Sequence, residues 1–463
     1  MALPIRTLNE MWMESVARFG EQPLIAYRES LAVKTPDGRI DEEVVYHPVT
    51  YGEVEGLVTS FGIGLLQLGL QEQEPVAIIA ENSLRWLVAD LAILANRAFD
   101  VPRGCGASTQ ELAYILKHAR VRFALVEDQA QLDRILALRA EIPELRTLIV
   151  IDRDCKEFAG SGAPGVHTFD AVVAQGKAQE ERPGGSDEFT RRRRAAAGPD
   201  IASLLYTSGT SGVPKGIPLT HANIMHNVTH LSTLIKIRTR DRFVSLLPIW
   251  HTFERTVEYC GVANGAAIYY STPSTVIKDL ALVSPHFLAG VPRLWMAIYN
   301  TARTNIRLAG KEKFFQKLYA RSLQVIRARR YRQGRSYLLP GEKPQPALAS
   351  PLDHLYHQLG DLLIYRKIRG KFGRHFRAII SGGSSLPEYV DDFFEVLGVN
   401  LLEGYGLTET SPVISVRTWD RRLPYTCGRP LPDTYVEIRD EEGKPLPAGS
   451  KGIVWVNGPQ VMS

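Results

Sequence analysis

A run of hydroxyl side chains and glycines, followed by a lysine, is the part of this sequence best suited to bind an anion. Glycine lets the backbone approach a ligand closely, and backbone N–H and hydroxyl groups donate hydrogen bonds to it. The spacing differs from the common P-loop, in which a Gly-Lys pair follows four residues after the first glycine. We predict that this loop holds phosphate groups, with a surface turn as the alternative. Its residues are Thr207, Ser208, Gly209, Thr210, Ser211, Gly212 and Lys215.

Two further glycine-rich turns carry residues that suit a nucleotide. The earlier turn contains Gly383, Ser384 and Ser385. The later turn contains Gly404, Tyr405, Gly406, Thr408 and Glu409. Tyr405 offers a flat face for a purine, and Thr408 is a neutral donor for a phosphate oxygen. A carboxylate repels nearby phosphates unless a cation lies between them, and Mg²⁺ prefers oxygen ligands. Glu409 is therefore predicted to bind a metal, with a capping residue as the alternative.

Each turn follows an apolar run of strand length, at residues 201–206, 377–381 and 400–403. The segment from Thr220 onward has a helical pattern, so the first turn is predicted to join a strand to a helix. In a doubly wound sheet such turns lie at the carboxyl edge of the strands, where ligands bind. We expect the three turns to form one site.

The rest of the chain alternates between strand and helix patterns. Thr50 and Ser108, each followed three residues later by Glu, fit capping boxes that begin helices. Residues 75–80 read as a buried strand. This alternation predicts parallel sheets with helices on both faces.

Three segments depart from that alternation. Residues 155–200 are polar and rich in Gly and Pro, and they are predicted to be a loop and linker in which the arginine run 191–194 is solvated. The basic stretch 300–337 is predicted to be helical. Beyond about Arg421 an alternating pattern predicts a β-hairpin.

Residues 206–216 closely resemble a signature of the adenylate-forming superfamily, and residues 404–409 are similar to its second signature. The resemblance extends from about Leu8 to the end of the sequence. Together with the element pattern, it implies an α/β fold of two stacked doubly wound subdomains, residues 1–199 and 200–420. It also implies the start of a small β-barrel subdomain at residues 421–463.

The resemblance implies ATP, Mg²⁺ and coenzyme A as the small molecules used. Tyr405 would stack on adenine, Thr408 would contact the α-phosphate, and Glu409 would bind Mg²⁺. The backbone of Gly383, Ser384 and Ser385 would line the adenine. The loop from Thr207 to Lys215 would hold the β- and γ-phosphates.

Residues 247–255 and 290–295 resemble segments of long-chain fatty acyl-CoA synthetases. The implied reaction joins a long-chain fatty acid to ATP as an acyl-adenylate and then transfers the acyl group to coenzyme A. His251 would lie near the fatty carboxylate, with a turn-capping role as the alternative. The candidate catalytic residues are Lys215, Thr408, Glu409 and His251. Two alternatives stay open: a fatty acyl-AMP ligase that loads a carrier protein, and a non-catalytic nucleotide- or lipid-binding module.

Charge is unevenly distributed along the chain. The formal net charge is +5, yet residues 300–377 hold 18 Lys and Arg against 4 Asp and Glu. Such a block favours an anionic partner, either a membrane surface or coenzyme A phosphates, with a solvated helix face as the alternative. Nucleic acid is not expected as a partner.

The sequence predicts a cytoplasmic protein, with peripheral contact to the inner membrane surface through residues 300–377 as a further expectation. No apolar run approaches the roughly 20 residues that span a bilayer, and the N-terminus has no signal-peptide pattern. The 4 cysteines are scattered, as is usual in a reducing compartment.

The resembled family continues beyond the position of Ser463. It has there an aspartate that holds the ribose hydroxyls, and then a small mobile domain with a lysine that contacts the reacting groups. The sequence is therefore expected to lack this lid and to bind ATP or AMP weakly.

Overall fold

The computed structural model describes residues 6–34, 40–152, 165–208, 213–338, 342–343 and 346–462. Within these residues the strands form two large sheets and one two-stranded sheet. The strands are β1 (Pro23–Lys34), β2 (Ile40–Thr50), β3 (Pro75–Ile79), β4 (Phe99–Arg103), β5 (Phe123–Val126), β6 (Thr147–Val150), β7 (Val166–Thr168), β8 (Ile201–Ser208), β9 (Pro214–Thr220), β10 (Arg242–Ser245), β11 (Ala267–Tyr270), β12 (Phe287–Gly290), β13 (Ala378–Ser381), β14 (Asn400–Gly406), β15 (Val413–Val416), β16 (Arg429–Pro430), β17 (Tyr435–Arg439) and β18 (Ile453–Asn457).

Helices pack on the large sheets. They are α1 (Leu8–Phe19), α2 (Tyr51–Gln67), α3 (Leu84–Ala95), α4 (Thr109–His118), α5 (Gln129–Ala137), α6 (Phe169–Glu180), α7 (Asp187–Ala195), α8 (His221–Ile235), α9 (Thr252–Ala263), α10 (Val276–Val283), α11 (Pro292–Leu308), α12 (Glu312–Arg332), α13 (Pro351–Gly360), α14 (Arg366–Gly370) and α15 (Glu388–Val396). A π-helical turn, Asp361–Tyr365, joins α13 to α14, and a 3₁₀ turn spans Thr408–Thr410. The basic stretch is helical as predicted, in α11 and α12.

The two large sheets have parallel centres; the first is antiparallel only at its β9 edge, whereas the second is antiparallel at both edges. The first has the strand order β7-β6-β5-β3-β4-β8-β9, and the second has the order β16-β15-β14-β13-β12-β10-β11-β1-β2. The strands β5 and β6 are buried along their whole length and are almost entirely apolar, as expected where helices cover both faces. The predicted fold class, layered α/β with parallel sheets, is confirmed.

Two hairpins each belong to the sheet that is built mainly from the other half of the chain. The β1–β2 hairpin comes before every strand of the first sheet, yet β1 pairs with β11 in the second. The β8–β9 hairpin comes after residue 200 and pairs with β4 in the first sheet, where Asp100 lies opposite Ser203. Strand pairing therefore does not follow a boundary between residues 199 and 200. The division into residues 1–199, 200–420 and 421–463 stays a prediction.

Helix starts follow the capping residues seen in the sequence. The Thr50 side chain accepts a hydrogen bond from the Glu53 N–H, and the Glu53 carboxylate accepts one from the Thr50 N–H at 2.8 Å. Ser108 accepts from the N–H of Glu111 at 3.2 Å at the start of α4. The two predicted helix starts are confirmed.

The prediction of a loop over residues 155–200 is wrong from residue 165 onward, and residues 153–164 lie outside the described part. Helix α6 begins at the N-cap Thr168 and buries Phe169 and Val172 against α2. Gly176 permits this packing, because a Cβ there would lie 1.7 Å from the carbonyl oxygen of Ser60. A glycine that suggested a loop is thus a point of close helix contact.

The arginine run is helical and three of its four arginines are paired, so the expectation of a solvated loop is also wrong. Arg191 and Arg192 each bind Glu188 at 2.7 Å within α7. Arg193 binds Glu55 at 2.6 Å, and Arg191 also reaches Glu72. Two of these acids lie more than a hundred residues earlier in the chain. Local composition therefore could not reveal the pairing.

The strands β17 and β18 form the predicted hairpin, with Tyr435 opposite Asn457. The described residues contain no closed barrel, so the expected start of a β-barrel amounts to this hairpin. The chain then returns to the main body. The Asn223 side chain of α8 donates to the carbonyls of Pro459 at 2.8 Å and Val461 at 3.0 Å. None of the helices in the described ranges combines the length and the apolar character that crossing a bilayer requires.

Candidate active site

The second and third glycine-rich turns meet at one edge of the second large sheet. The strands β10, β12, β13 and β14 are parallel, so their carboxyl ends lie side by side. Residues just beyond these ends surround a cavity of about 560 Å³, among them Pro248, Val291, Gly383 and Leu407. The structure therefore brings these two turns together at the sheet edge where a ligand was expected.

The polar end of this cavity is formed by the third turn. Tyr405, Thr408 and Glu409 all line it, together with the backbone of Gly404 and Gly406. Tyr405 is 37% exposed, so part of its ring is open to a ligand. A Cβ at position 406 would lie 1.7 Å from the carbonyl oxygen of Pro412. Glycine is required there, and this close approach folds the turn against the cavity.

The second turn contributes its glycines. Gly382 and Gly383 line the cavity, and Gly383 adopts a φ of 85°, in the region that favours glycine. Ser384 and Ser385 are exposed and do not line the cavity wall. Their side chains therefore take no part in it.

The first turn joins two strands and not a strand and a helix, so that prediction is wrong. The strands β8 and β9 are antiparallel, with Thr207 opposite Lys215. Helix α8 begins only after β9, at the N-cap Thr220. The segment of β9 contains two prolines, and its pairing with β8 is not visible in its own pattern.

The residues of the first turn are only partly described. Thr207 lines the cavity, and Ser208 is the last residue of β8. Lys215 is exposed and does not belong to the cavity wall. The predicted phosphate-binding residues Gly209, Thr210, Ser211 and Gly212 lie outside the described residues.

His251 lies on the cavity wall at the N-cap position of α9. Its side chain makes no capping hydrogen bond, so the turn-capping alternative has no support. Its ring packs against Trp250, with 4.0 Å between centroids. Although part of the ring reaches solvent, desolvation by its neighbours and then the charge of Arg103 lower the pKa of His251. Both effects favour the neutral imidazole.

The loop that carries His251 is held in place by Asn82, which follows β3 of the first large sheet. The Asn82 side chain donates to the carbonyl of Leu247 at 2.8 Å and accepts from the N–H of Ile249 at 2.9 Å. It also donates to Ser245 at the end of β10. Asn82 thus fixes this wall of the cavity to the segment after β3.

Sequence reasoning missed two buried carboxyl groups on α9. Glu254 lines the cavity and is 1% exposed, and Glu258 lies one turn further along the helix. Burial, and then the neighbouring Glu258, raise the pKa of Glu254 well above its usual range. Burial raises the pKa of Glu258 to about 8. Both groups are therefore mainly protonated at neutral pH and can donate hydrogen bonds. Glu254 belongs to the segment 247–255, which resembles long-chain fatty acyl-CoA synthetases. That resemblance was the only signal in the sequence that could have pointed to Glu254.

Arg255, from the same segment, joins the two layers of the fold. Its guanidinium binds the carboxylates of Asp90 on α3 and Asp100 on β4, and donates to Ser203 at 2.9 Å. The hydroxyl of Tyr259 donates to Asp90 at 2.6 Å. Burial raises the pKa of Asp90 to about 7 despite the neighbouring arginine. Arg255 is therefore a structural residue that stabilises the contact of α9 with the first sheet.

The cavity continues as an apolar arm between the second sheet and helices α8 and α9. Burial of methylene groups in such a space contributes about 0.8 kcal/mol for each CH₂. The residues of the arm were not predicted, because they come from several distant segments. They are Leu231, Ile235, Ile237, Phe243, Val257, Cys260, Ile380 and Val416.

Residues 30–463 match the family described as AMP-binding enzyme. The chain belongs to this family. The match covers the cavity edge and all three glycine-rich turns.

Curated relatives of this AMP-binding enzyme act on fatty acids, as their names state. A long-chain-fatty-acid–[acyl-carrier-protein] ligase of Arabidopsis thaliana is 33% identical over 478 residues, which are 99% of this chain and 63% of that protein. A long-chain-fatty-acid–CoA ligase of Mycobacterium tuberculosis is 28% identical over 402 residues, which are 86% of this chain and 62% of that protein. The chain thus spans less than two thirds of the length of these relatives.

A solved structure of an anthranilate CoA ligase in complex with anthranoyl-AMP has the same fold. It superposes with a TM-score of 0.70 and 19% identity, over 100% of this chain and 71% of that chain. The likeness shows that this AMP-binding enzyme shares its layered α/β fold with that ligase.

Proposed function

We propose that the protein is a long-chain fatty acid–CoA ligase, which activates a fatty acid with ATP and then transfers the acyl group to coenzyme A. The observation that carries the proposal is a single cavity with two unlike ends. Its polar end, with Tyr405, Thr408 and Glu409, suits a nucleotide, and its apolar arm suits a chain of methylene groups. One cavity can therefore hold both substrates of the first step.

The chemistry divides into two displacements. A carboxylate oxygen of the fatty acid attacks the α-phosphorus of ATP, and the bond to the β-phosphate breaks so that pyrophosphate leaves. The deprotonated sulfur of coenzyme A then attacks the acyl carbonyl carbon, and AMP leaves. Neither step requires a nucleophile from the enzyme, so the residues act by positioning and by stabilising charge.

The nucleotide is proposed to bind at the second and third turns. Tyr405 stacks on adenine, with the backbone of Gly383, Ser384 and Ser385 along its edge. Thr408 donates its hydroxyl to an α-phosphate oxygen. Support comes from the position of Tyr405, Thr408 and Gly383 on one cavity wall.

The first turn is proposed to hold the β- and γ-phosphates through residues 207–212 and Lys215. The proposal is supported by Thr207, at the start of this loop, which lies on the cavity wall. Lys215 stands opposite it on β9 with an exposed side chain, long enough to bend toward the loop. A lysine at such a place neutralises charge on the leaving pyrophosphate.

Glu409 fits the requirements of a Mg²⁺ ligand. It lines the cavity, and among the described residues no basic side chain forms a salt bridge with it. Carboxylate oxygen is the ligand type that Mg²⁺ takes together with substrate phosphates. When bound there, the ion would supply positive charge to the phosphates that Thr408 and the first turn orient.

His251 and Glu254 are proposed to position the fatty carboxylate. Both lie on the cavity wall. Desolvation and the charge of Arg103 lower the pKa of His251, and burial raises that of Glu254, so both shifts favour the neutral form. A neutral imidazole and a protonated carboxyl group can each donate a hydrogen bond to a carboxylate without pairing with it as an ion. The carboxylate would then stay reactive toward phosphorus.

The test is exchange of labelled pyrophosphate into ATP by the full-length protein. We expect exchange that requires both a long-chain fatty acid and Mg²⁺. ATP binding without any exchange would overturn the proposal and would favour a non-catalytic nucleotide- or lipid-binding module.

A carrier protein is the second candidate for the acyl acceptor. The observation in its favour is the Arabidopsis relative, whose name gives an acyl carrier protein as the acceptor. The two candidates are separated by measuring AMP release with coenzyme A and with a phosphopantetheinylated carrier protein. Faster release with the carrier protein would replace the coenzyme A assignment and leave the first step unchanged.

A peripheral contact with an anionic membrane is proposed for residues 300–377. Part of the positive charge in this block is neutralised within the fold, where Arg303, Arg321, Arg330, Arg369 and Arg377 bind carboxylates. The remainder includes three lysines that border an apolar groove of about 430 Å³ between α10, α11 and α14. These lysines are Lys311, Lys367 and Lys371.

The exposed leucines at the groove suit the acyl chains of a phospholipid, and the lysines that border it suit an anionic headgroup. Leu362 is 61% exposed and Leu363, on the groove wall, is 45% exposed. Apolar side chains can enter the acyl region of a leaflet while lysines contact anionic headgroups. This juxtaposition favours a lipid surface over a solvated helix face.

A further inference from the structure

Two histidines on α8 and an aspartate from another segment form a cluster away from the cavity. His226 and His230 are one helical turn apart, so they share a face, and their ring centroids are 4.5 Å apart. Asp433 lies between β16 and β17. One ring nitrogen of each histidine and one carboxylate oxygen lie within 4.8 Å of one another.

The hydrogen bonding of His226 leaves one nitrogen free. Its Nε2 lies 3.0 Å from the carbonyl oxygen of Pro432, which can only accept, so Nε2 carries the proton. In the neutral ring Nδ1 then has a lone pair. That atom is buried and has no hydrogen-bond partner in the part of the chain that the structure describes. A buried acceptor without a donor is unfavourable by about 1–3 kcal/mol, which suggests that something else occupies the position.

We infer that His226, His230 and Asp433 bind a divalent transition metal, with Zn²⁺ as the best match. Two imidazole nitrogens and one carboxylate oxygen are ligands that Zn²⁺ takes, and a water molecule completes four-coordination. The bond from Nε2–H to the Pro432 carbonyl is the arrangement that orients a metal-binding histidine. Mg²⁺ is disfavoured, because it prefers oxygen ligands.

The three ligand atoms lie somewhat too far apart for this ion, and a movement of Asp433 can bring them closer. Tetrahedral Zn²⁺ at about 2.0–2.1 Å from each ligand needs ligand atoms roughly 3.4 Å apart, against the present limit of 4.8 Å. Asp433 is exposed and lies in the connection to β17, whereas both histidines are fixed on α8. Metal binding therefore draws this connection toward α8.

The site joins two parts of the fold that contact each other through few other bonds. Helix α8 already binds the segment after β18 through Asn223, and the connection before β17 through the His226–Pro432 hydrogen bond. A metal at His226 and Asp433 would strengthen the second of these attachments, at the start of the β17–β18 hairpin. We expect the bound ion to stabilise this hairpin against the main body, which is independent of the proposed ligase activity.

The experiment is titration of the EDTA-treated, dialysed full-length protein with Zn²⁺, by calorimetry and by metal analysis after gel filtration. We expect one Zn²⁺ per chain and a higher temperature of unfolding. His230→Ala and Asp433→Asn should each weaken binding ten-fold or more. A hundred-fold excess of Mg²⁺ should not displace the ion.

His354→Ala is the matched control. His354 and His357 also lie on one face of a helix, α13, but within the described ranges no third ligand completes a cluster there. This variant should bind Zn²⁺ as the unaltered protein does. Zinc affinity unchanged in Asp433→Asn, or equally lost in His354→Ala, would overturn the inference, as would the absence of binding. Because Asp433 is exposed, its variant is expected to fold.

Discussion

Lys215 reaches the proposed phosphate site from a strand. Its backbone is fixed by the pairing of β9 with β8, and its side chain is exposed. The charge is therefore tethered beside the loop without being held in one position. We therefore expect Lys215 to contribute to phosphate binding and little to the stability of the fold.

Lys215→Ala in the full-length protein should weaken the use of ATP by tens-fold, because a charged hydrogen bond contributes about 1.5–3 kcal/mol. The unfolding temperature should stay unchanged. KM for ATP and kcat are the measurements, with Lys177→Ala on the remote helix α6 as the control. Unchanged ATP kinetics would contradict the assignment of this loop to phosphate.

His221, the first residue of α8, connects stability to pH. It is fully buried, and its Nδ1 accepts a hydrogen bond from the N–H of Leu8 at 3.2 Å. Burial lowers the pKa of His221 to about 4, whereas an unfolded histidine has a pKa of about 6.5. The unfolded state thus takes up a proton first as the pH falls.

Stability should therefore be present above pH 6.5 and should be lost as the pH falls toward 4, by about 3 kcal/mol from this group. His221→Asn keeps an acceptor near the position of Nδ1 but does not titrate. Urea unfolding at pH 7 and pH 4 should show a loss about 3 kcal/mol smaller in the variant. Equal losses would show that His221 is not the group responsible.

One face of helix α9 lines the cavity, and another face contacts the first sheet. Val257 and Cys260 line the apolar arm, whereas Arg255 and Tyr259 belong to the buried ion cluster. Changes along one helix should therefore separate into effects on substrate and effects on stability.

Val257→Phe should shift the substrate preference toward acids with shorter chains, because the larger ring fills part of the apolar arm. Each methylene group excluded forfeits about 0.8 kcal/mol, or about four-fold. We expect kcat/KM for a 16-carbon acid to fall more than about ten-fold relative to octanoate. Retained activity on octanoate reports an intact fold. An unchanged chain-length preference would place the acyl chain elsewhere.

Arg255→Gln should destabilise the fold by about 3–5 kcal/mol, because it leaves Asp90 and Asp100 buried without their cation. Adding Asp100→Asn should restore part of the loss by removing one of these charges. Thermal and urea unfolding measure both effects. A single variant within about 1 kcal/mol of the unaltered protein would show that the cluster does not stabilise the layers.

The same elements show what could be predicted from the sequence. The glycine turns at residues 382–385 and 404–409 lie at one sheet edge, as expected, because each follows its strand directly. Strand β9, the helices α6 and α7, and the residues of the apolar arm were missed. The helices and the arm depend on residues distant in the chain: Arg193 binds Glu55, and the arm takes Leu231 and Ile380 from separate segments. Strand β9 was missed for a local reason, because its two prolines hide the strand pattern. The roles of the predicted site residues stay predictions.

At the scale of the whole molecule, the basic block should make lipid binding depend on salt. Binding of the full-length protein to anionic vesicles should fall steeply with ionic strength, since surface charges are screened over about 8–10 Å at physiological salt. Lys367→Ala with Lys371→Ala should lose about 1 kcal/mol for each lysine. Vesicle cosedimentation measures this, with Lys177→Ala as the control. Equal binding to neutral and anionic vesicles would favour a solvated face.

The placement of the β1–β2 hairpin in the second sheet also determines when its strands can pair during translation. Besides β2, the partner of β1 is β11, on the side of the sheet centre, and Ile25 pairs with Ile268. At about 5–20 residues per second, the β1–β2 hairpin waits roughly 10–50 s before that partner has left the ribosome. During this interval one edge of β1 offers unpaired backbone groups to any other strand nearby. The nascent chain should therefore be most prone to aggregate, and most dependent on chaperones, before residue 270 has emerged.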